Sequence, residues 1–366
     1  VKHVLFLWAL AFFCGVSAHA EEGKALFVSV IQEPPVLESR KDIRRLVAFA
    51  EETNVKTLFV QIYRENKAWF PSAVADASPY EAAKAAVEED PFARLVREAH
   101  AKGIEVHAWI NLLSLSQNEN APLLREHGPA ILTRNAEPKK TLADYRIDDQ
   151  YFLEPGDPRV RETLLEIVGE IAHAYPEMDG LQFDYVRYPD WKPAYGRTEA
   201  NEFRFRQATG VQTIDEQDPL WREWKRDQVT SLVRVLRAHA LEINPRLRVS
   251  TTGLVPYSRA REEAFQDWAL WVEEGLADFV TLMAYNISTP RFEEMIRDAE
   301  RRIGSLSKVH VAVGAYTALK NPAVFEEQFR LAERSGARAP VVFHYGSLLE
   351  NPALVEPLRE TKKRTT

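Results

Sequence analysis

The chain has 366 residues, a formal net charge of -7 and a composition that is 45% hydrophobic. That apolar share supports a large packed core and excludes a disordered chain, and the acidic balance is a poor match to the phosphates of nucleic acid. The single cysteine, Cys14, excludes an intrachain disulfide framework.

The first predicted element is an export signal over residues 1–20. Lys2 and His3 give a short basic start, 4–16 is an apolar run too short for a comfortable membrane span, and Ala18-His19-Ala20 is a small-x-small cleavage site. Cleavage there removes Cys14 and leaves a chain from Glu21 with no thiol, hence no Cys-ligated metal and no Cys nucleophile. The expected location is periplasmic or secreted, with no stable membrane insertion after cleavage. An uncleaved anchor is the alternative. No second apolar run approaches transmembrane length.

From there on, apolar runs rich in β-branched residues alternate with helical patterns. The predicted strands are 25–31, 55–63, 105–113, 180–188, 248–256, 278–286, 310–317 and 339–347. Between the first two, Ser39 can cap a helix with apolar positions Ile43, Leu46, Val47 and Ala50. Asp90-Pro91 opens the next helix, with Gly103 beyond its end, and Asp157-Pro158 opens a third with Val160, Leu164, Ile167, Val168 and Ile171 on one side. A long helix near 221–243 carries Val229, Leu232, Val233, Leu236 and Ala240 at helical spacing. Later helices are expected near 268–274, 291–303, 324–335 and 352–361.

Eight such units predict an α/β fold, a (β/α)₈ TIM barrel, as a single domain over 21–366 with long loops after strands 2 and 3. Those loops run over 64–90 and 114–156. A doubly wound open sheet is the rival; the Gly-rich phosphate turn of its nucleotide-binding version is absent. Catalysis in a parallel barrel sits at the C-terminal strand ends, so chemistry is sought there.

Strand 4 is the richest. In Met178-Asp-Gly-Leu-Gln-Phe-Asp-Tyr-Val-Arg-Tyr-Pro189, period two puts Gly180, Gln182 and Asp184 on one face and Leu181, Phe183 and Tyr185 on the other. Asp184 is the candidate catalytic carboxylate; its bland reading is an ion pair with Arg187 or another strand-end arginine. Arg187 either binds substrate or serves Asp184, and Tyr188 is a candidate substrate contact. Strand 3 places His107, Trp109 and Asn111 on one face, a set suited to sugar hydroxyls and a stacking ring; His107 alone is equally well read as a core histidine. Gln61 and Tyr63 share a face on strand 2, Ser250 and Thr252 on strand 5, and Met283 and Tyr285 on strand 6. Tyr316 and the pair His344 and Tyr345 come from strands 7 and 8. Glycoside hydrolysis needs two carboxyl groups. The second member is not evident: Glu154 is the leading candidate, ahead of Glu223, Asp227, Asp267 and the outsider Glu65, and each taken singly reads more readily as structural. No G-x-S-x-G elbow, Walker loop or H-E-x-x-H pair is present, and no cofactor or metal is expected.

With these residues in view, the chain resembles the exported bacterial barrels of the glycoside hydrolase-like family 10 type. The pieces occur in order: Phe59-Val-Gln-Ile-Tyr63 with Phe70-Pro-Ser72, Ala99 through Asn111, Pro155 through Arg161, Asp179 through Pro189, and Trp224-Lys-Arg-Asp-Gln-Val229. Four positions depart from the family pattern: Gln182 replaces a His, Tyr185 a second Asp, Val186 the Tyr before Arg187, and Glu154 an Asn. Strand 6 is similar to the chitinase-like barrels, but their D-x-D-x-E signature is missing, so their substrate-assisted mechanism does not carry over. The resemblance implies a glycoside hydrolase acting on a polysaccharide, with a cell-wall glycan or exopolysaccharide as the leading substrate. The alternatives are a non-catalytic glycan-binding barrel and a metal-dependent deacetylase on the same fold.

Overall fold

The computed structural model describes residues 23–189 and 194–359. The expected signal, Cys14 and the end of the last predicted helix lie outside those residues. Eight parallel strands close on themselves: β1 (Lys24–Val28), β2 (Val55–Arg64), β3 (Glu105–Asn111), β4 (Gly180–Asp184), β5 (Arg248–Gly253), β6 (Phe279–Met283), β7 (Val309–Gly314) and β8 (Ala339–Phe343). Each pairs with the next in sequence, and β1 pairs with both β2 and β8, which leaves no open edge and makes the sheet a (β/α)₈ barrel.

The helices that follow these strands are α1 (Arg40–Glu52), α2 (Pro91–His100), α3 (Pro158–Ala174), α4 (Pro219–Ile243), α5 (Trp268–Glu273), α6 (Thr289–Ile303), α7 (Pro322–Arg334) and α8 (Tyr345–Glu350). Their starts follow the sequence signals. Ser39 accepts from the N–H groups of Lys41 and Asp42, Asp90 from that of Ala93, and Asp157 from that of Arg159. All the apolar positions singled out on α1, α3 and α4 are buried. The last unit differs from expectation. Asn351 and Pro352 break the chain after β8, so α8 ends at Glu350, and among the described residues a 3-10 turn at Pro352–Leu354 and a single helical turn at Glu356–Arg359 follow.

Period two sorts the strand residues into two cores. Leu26, Val60, Ile110, Leu181 and Phe183 face the helices. Phe27, Phe59, Trp109, Phe279, Ala312 and Val341 fill the barrel interior. The interior is tight at β4: a Cβ on Gly180 would lie 2.3 Å from the Arg248 carbonyl oxygen and 2.5 Å from His107 Nδ1.

Both long connections are structured. After β2, Lys67–Ala68 folds back antiparallel on the strand, and a helix spans Ser78–Val87. After β3, Ser114–Ser116 and Tyr151–Phe152 form a two-stranded sheet of their own. The connection after β4 holds a helix, Glu199–Thr209, that periodicity did not announce because its polar and apolar residues are mixed around the axis. Among the described residues no helix is long and apolar enough to cross a membrane.

Candidate active site

The C-terminal rim of the barrel is built around Asp184. Asn111 and Asp184 are partners in register at the ends of β3 and β4. The Asp184 carboxyl accepts from Trp109 Nε1 at 3.0 Å, Thr252 Oγ1 at 2.6 Å and the N–H of Tyr185 at 2.7 Å. Trp109 comes from β3 and Thr252 from β5, so both neighbours of β4 hold the group. Three donors on one carboxyl, only 6% exposed, fix its direction rather than merely dissolve it.

Polar side chains continue along the rim. Gln61 donates to Asn111 Oδ1 at 3.2 Å and accepts from Ser29 Oγ at 3.0 Å. Gln182, one layer below Asp184, accepts from Ser250 Oγ at 2.5 Å, and its Nε2 is buried without a partner. On the opposite side stands an aromatic wall. Tyr285 lies 4.9 Å from Phe343 and 5.7 Å from Tyr316, centroid to centroid. Burial pushes the Tyr285 hydroxyl well above its ordinary range, and the charge of Asp184 adds to that rise. The phenol and the acid therefore face one another electrostatically. Tyr316 is 43% exposed and offers the wall's open ring.

His344 sits half-buried where β8 ends, its ring against Phe343 and its Nδ1 accepting from the N–H of Gly346 at 3.2 Å. Burial holds its imidazole below the usual range. The Phe343–His344 peptide is cis. Arg187 is half-buried, with its guanidinium 4.9 Å over the Tyr185 ring. Tyr185 itself has φ 53, the left-handed region, which turns the chain sharply out of β4.

The structure gathers Asp184, Trp109, Asn111 and Tyr285 at one rim, with Gln182 a layer below, but it does so with five corrections. Tyr63 does not share the face of Gln61. A bulge shifts the register so that Gln61 pairs with Trp109 but Tyr63 with Ile110, and Tyr63 turns outward into the helix-facing core, where its hydroxyl accepts from Asn66 at 3.2 Å. His107 is a core histidine. It is four residues below Asn111 on β3, roughly 13 Å at strand rise, it is fully buried, and burial together with Arg248 holds its pKa well down. Trp109 is also too enclosed to be a sugar platform; its indole N–H orients Asp184 instead.

Glu154 is the fourth correction, a matter of access. It is 0% exposed, accepts from the Tyr188 hydroxyl, and its Oε2 closes no hydrogen bond. Burial drives its pKa up to about 7, opposed by Tyr188, Thr133 and the Gly156 N–H. Tyr188, expected as a substrate contact, is the fifth correction: it is buried, its hydroxyl donates to Glu154, and burial with Glu154 raises its pKa. Lys225 completes the cluster, 3.8 Å over the Phe265 ring, with a pKa lowered to about 7 by burial and by Arg222. The cluster stands behind the segment that leaves β4, out of contact with solvent. The weaker carboxyl candidates are engaged elsewhere: Glu65 with Arg64, Glu223 with Arg226, and Asp267 as the cap of α5 and an acceptor from Tyr257 at 2.5 Å. Asp227 is exposed on the outer face of α4.

Sequence reading missed Phe343, which is on no motif, and gave Thr252 no role. Thr252 was visible as an inward small polar residue, but only the Asp184 contact shows what it does. Among the described residues no group of three or more His, Cys, Asp or Glu side chains is arranged to hold a metal ion. A cavity of about 540 Å³ lies at the N-terminal end of the barrel, lined in part by Glu105, Arg248 and His310. It is remote from Asp184, and chemistry in a parallel barrel belongs to the other end.

A closed parallel barrel with an acid held at the end of β4 and an aromatic wall across the mouth defines a glycoside hydrolase-like protein. Comparison with known sequences agrees. The family described as "Glycosyl hydrolase-like 10" matches residues 28–330, and the chain belongs to it. Its relatives include the glycosyl hydrolase DigH of Escherichia coli (strain K12), 25% identical over 276 residues that cover 70% of this chain and 58% of DigH. The glycosyl hydrolase YngK of Bacillus subtilis is 23% identical over 271 residues, 68% of this chain and 50% of YngK. The chain thus spans little more than half the length of these relatives. Among solved structures, the cold-adapted β-galactosidase of Rahnella sp. R3 superposes with a TM-score of 0.57 at 14% identity, over 88% of this chain and 50% of that one, a likeness of fold.

Proposed function

We propose that this chain hydrolyses O-glycosidic bonds in a bacterial polysaccharide, a cell-wall glycan or an exopolysaccharide, in the periplasm or outside the cell. Asp184 is the carboxylate at the reacting centre, as nucleophile or general base. The observation that carries this reading is the three-donor clamp on Asp184 at the C-terminal end of β4. Preorganised orientation of this kind is what a reacting group needs and a solvated surface acid lacks. Asn111, Arg187 and Tyr285 supply contacts for sugar hydroxyls, and Tyr316 with Phe343 a face for a sugar ring; Gln182, expected as a contact, is fully buried one layer beneath Asp184 and supports the rim from below. His344 contributes at the rim. Glu154 acts through Tyr188, holding the segment after β4, and is a positioning residue.

The test is product release from a panel of bacterial glycans by the wild type and by Asp184→Asn. Loss of a catalytic carboxylate is expected to lower turnover by about 10²–10⁴-fold; equal turnover refutes the assignment. A second reading, a glycan-binding barrel without turnover, is favoured by the enclosure of Glu154, which leaves Asp184 without the expected partner acid. Wild-type protein that binds a glycan on the panel and releases no product from any of them would establish it.

A further inference from the structure

The N-terminal end of the barrel usually serves stability, yet here it holds a cavity of about 540 Å³ whose mixed polar and apolar walls include several charged side chains. Lys56, Arg248 and Arg338 bring three cations to it against one carboxylate, Glu105, in a chain whose formal charge is -7. Arg248 turns one nitrogen, Nη2, to Glu105 and to His107 Nε2 at 3.2 Å; its Nε and Nη1 make no hydrogen bond among the described residues. The side chains of Lys56 and Arg338 have no ion-pair partner there either. His310 lines the same cavity. It is 4% exposed, stacks at 4.2 Å on Phe279, and its Nδ1 is buried without a partner. Burial and the two arginines hold its pKa down at about 3, so at neutral pH the ring is an uncharged donor and acceptor.

Half-buried Lys56, Arg248 beside Glu105 and exposed Arg338 give the cavity mouth an excess of positive charge that suits an anion. The volume exceeds what a bare oxyanion fills. From this geometry we infer that the basal cavity binds a phosphate monoester of monosaccharide size. Arg248 and His310 meet the phosphate from within, and Lys56 and Arg338 close on it from the entrance. The site lies at the opposite end of the barrel from Asp184 and does not depend on hydrolysis there.

Calorimetric titration of the whole protein tests this with three probes: glucose 6-phosphate, inorganic phosphate and glucose. Glucose 6-phosphate is expected to bind, inorganic phosphate more weakly, and glucose not at all. Lys56→Ala and Arg338→Ala remove side chains without partners, so both variants are expected to melt like the wild type. Each should weaken glucose 6-phosphate binding by about tenfold, and Arg338→Lys should recover part of that loss. No heat with glucose 6-phosphate would overturn the inference. So would equal binding of glucose, or affinity unchanged in both alanine variants, since the anion would then sit elsewhere.

Discussion

Glu154→Gln should stabilise the protein at pH 8 and leave it nearly unchanged at pH 4. The folded carboxyl has its pKa raised from 4.5 to about 7, chiefly by burial. Between those values the folded state holds the proton more often than the unfolded chain does. Stability attributable to this group is therefore fully present below 4.5 and is lost as pH rises towards 7, after which the loss is constant. A displacement of that size corresponds to roughly 3 kcal/mol. Gln keeps the shape, still accepts from the Tyr188 hydroxyl and carries no charge, so it escapes the loss. Lys225 titrates in the next window. Its pKa falls from 10.5 to about 7, so the folded state holds fewer protons there and gains stability as pH rises from 7 to 10.5. The two effects separate when urea unfolding of wild type and variant is compared at half-unit steps from pH 4 to 8. The variant's advantage should grow across 4.5 to 7 by on the order of 3 kcal/mol and then level off. A difference that stays flat through that window would show that Glu154 is not buried as a proton-holding acid, and the reasoning would fail.

Other outcomes follow from the rim and the interior. Trp109→Phe keeps the ring packed beside Phe27 and Phe343 but removes one of three donors to Asp184. It should lower kcat at least about tenfold with little change in KM, and cost about 1 kcal/mol of stability by thermal melting; unchanged kcat would mean that the indole does not orient the acid. Gly180→Ala forces a methyl group against the Arg248 carbonyl oxygen and the His107 ring. Destabilisation by about 1–3 kcal/mol or more is expected, and a variant that melts with the wild type would show that this layer is looser than the geometry implies.

The barrel was legible because its strands obey one rule throughout. Leu181 and Phe183 pack outward while Gln182 and Asp184 point in, as period two requires, and the same holds for Ala108 and Ile110 against Trp109 and Asn111. The rule failed where the backbone left the regular strand. The bulge in β2 costs one step of alternation, and Tyr63 changes face with no mark in its own identity. Tyr185 turns into the left-handed region, so its position cannot be read from Phe183. Access was also invisible. Nothing in Leu153-Glu154-Pro155 announces that the carboxyl will be sealed beneath Tyr188, because the seal is made by residues 34 places along the chain. Asp184 was found because a strand-end acid follows from topology. Its clamp was not, because Trp109 and Thr252 reach it from 75 and 68 residues away.

The turn at Tyr185 also decides which acid can occupy the position before it. Its N–H points back at Asp184 Oδ1, closing a ring through only one methylene of side chain. A glutamate would carry its oxygens past that N–H and past the Thr252 hydroxyl, which is set for the shorter reach. Asp184→Glu therefore preserves the charge while discarding two of the three contacts that aim it. The backbone at this one residue selects side-chain length as strictly as a pocket selects a ligand, and carboxylates of different length are not interchangeable at this rim.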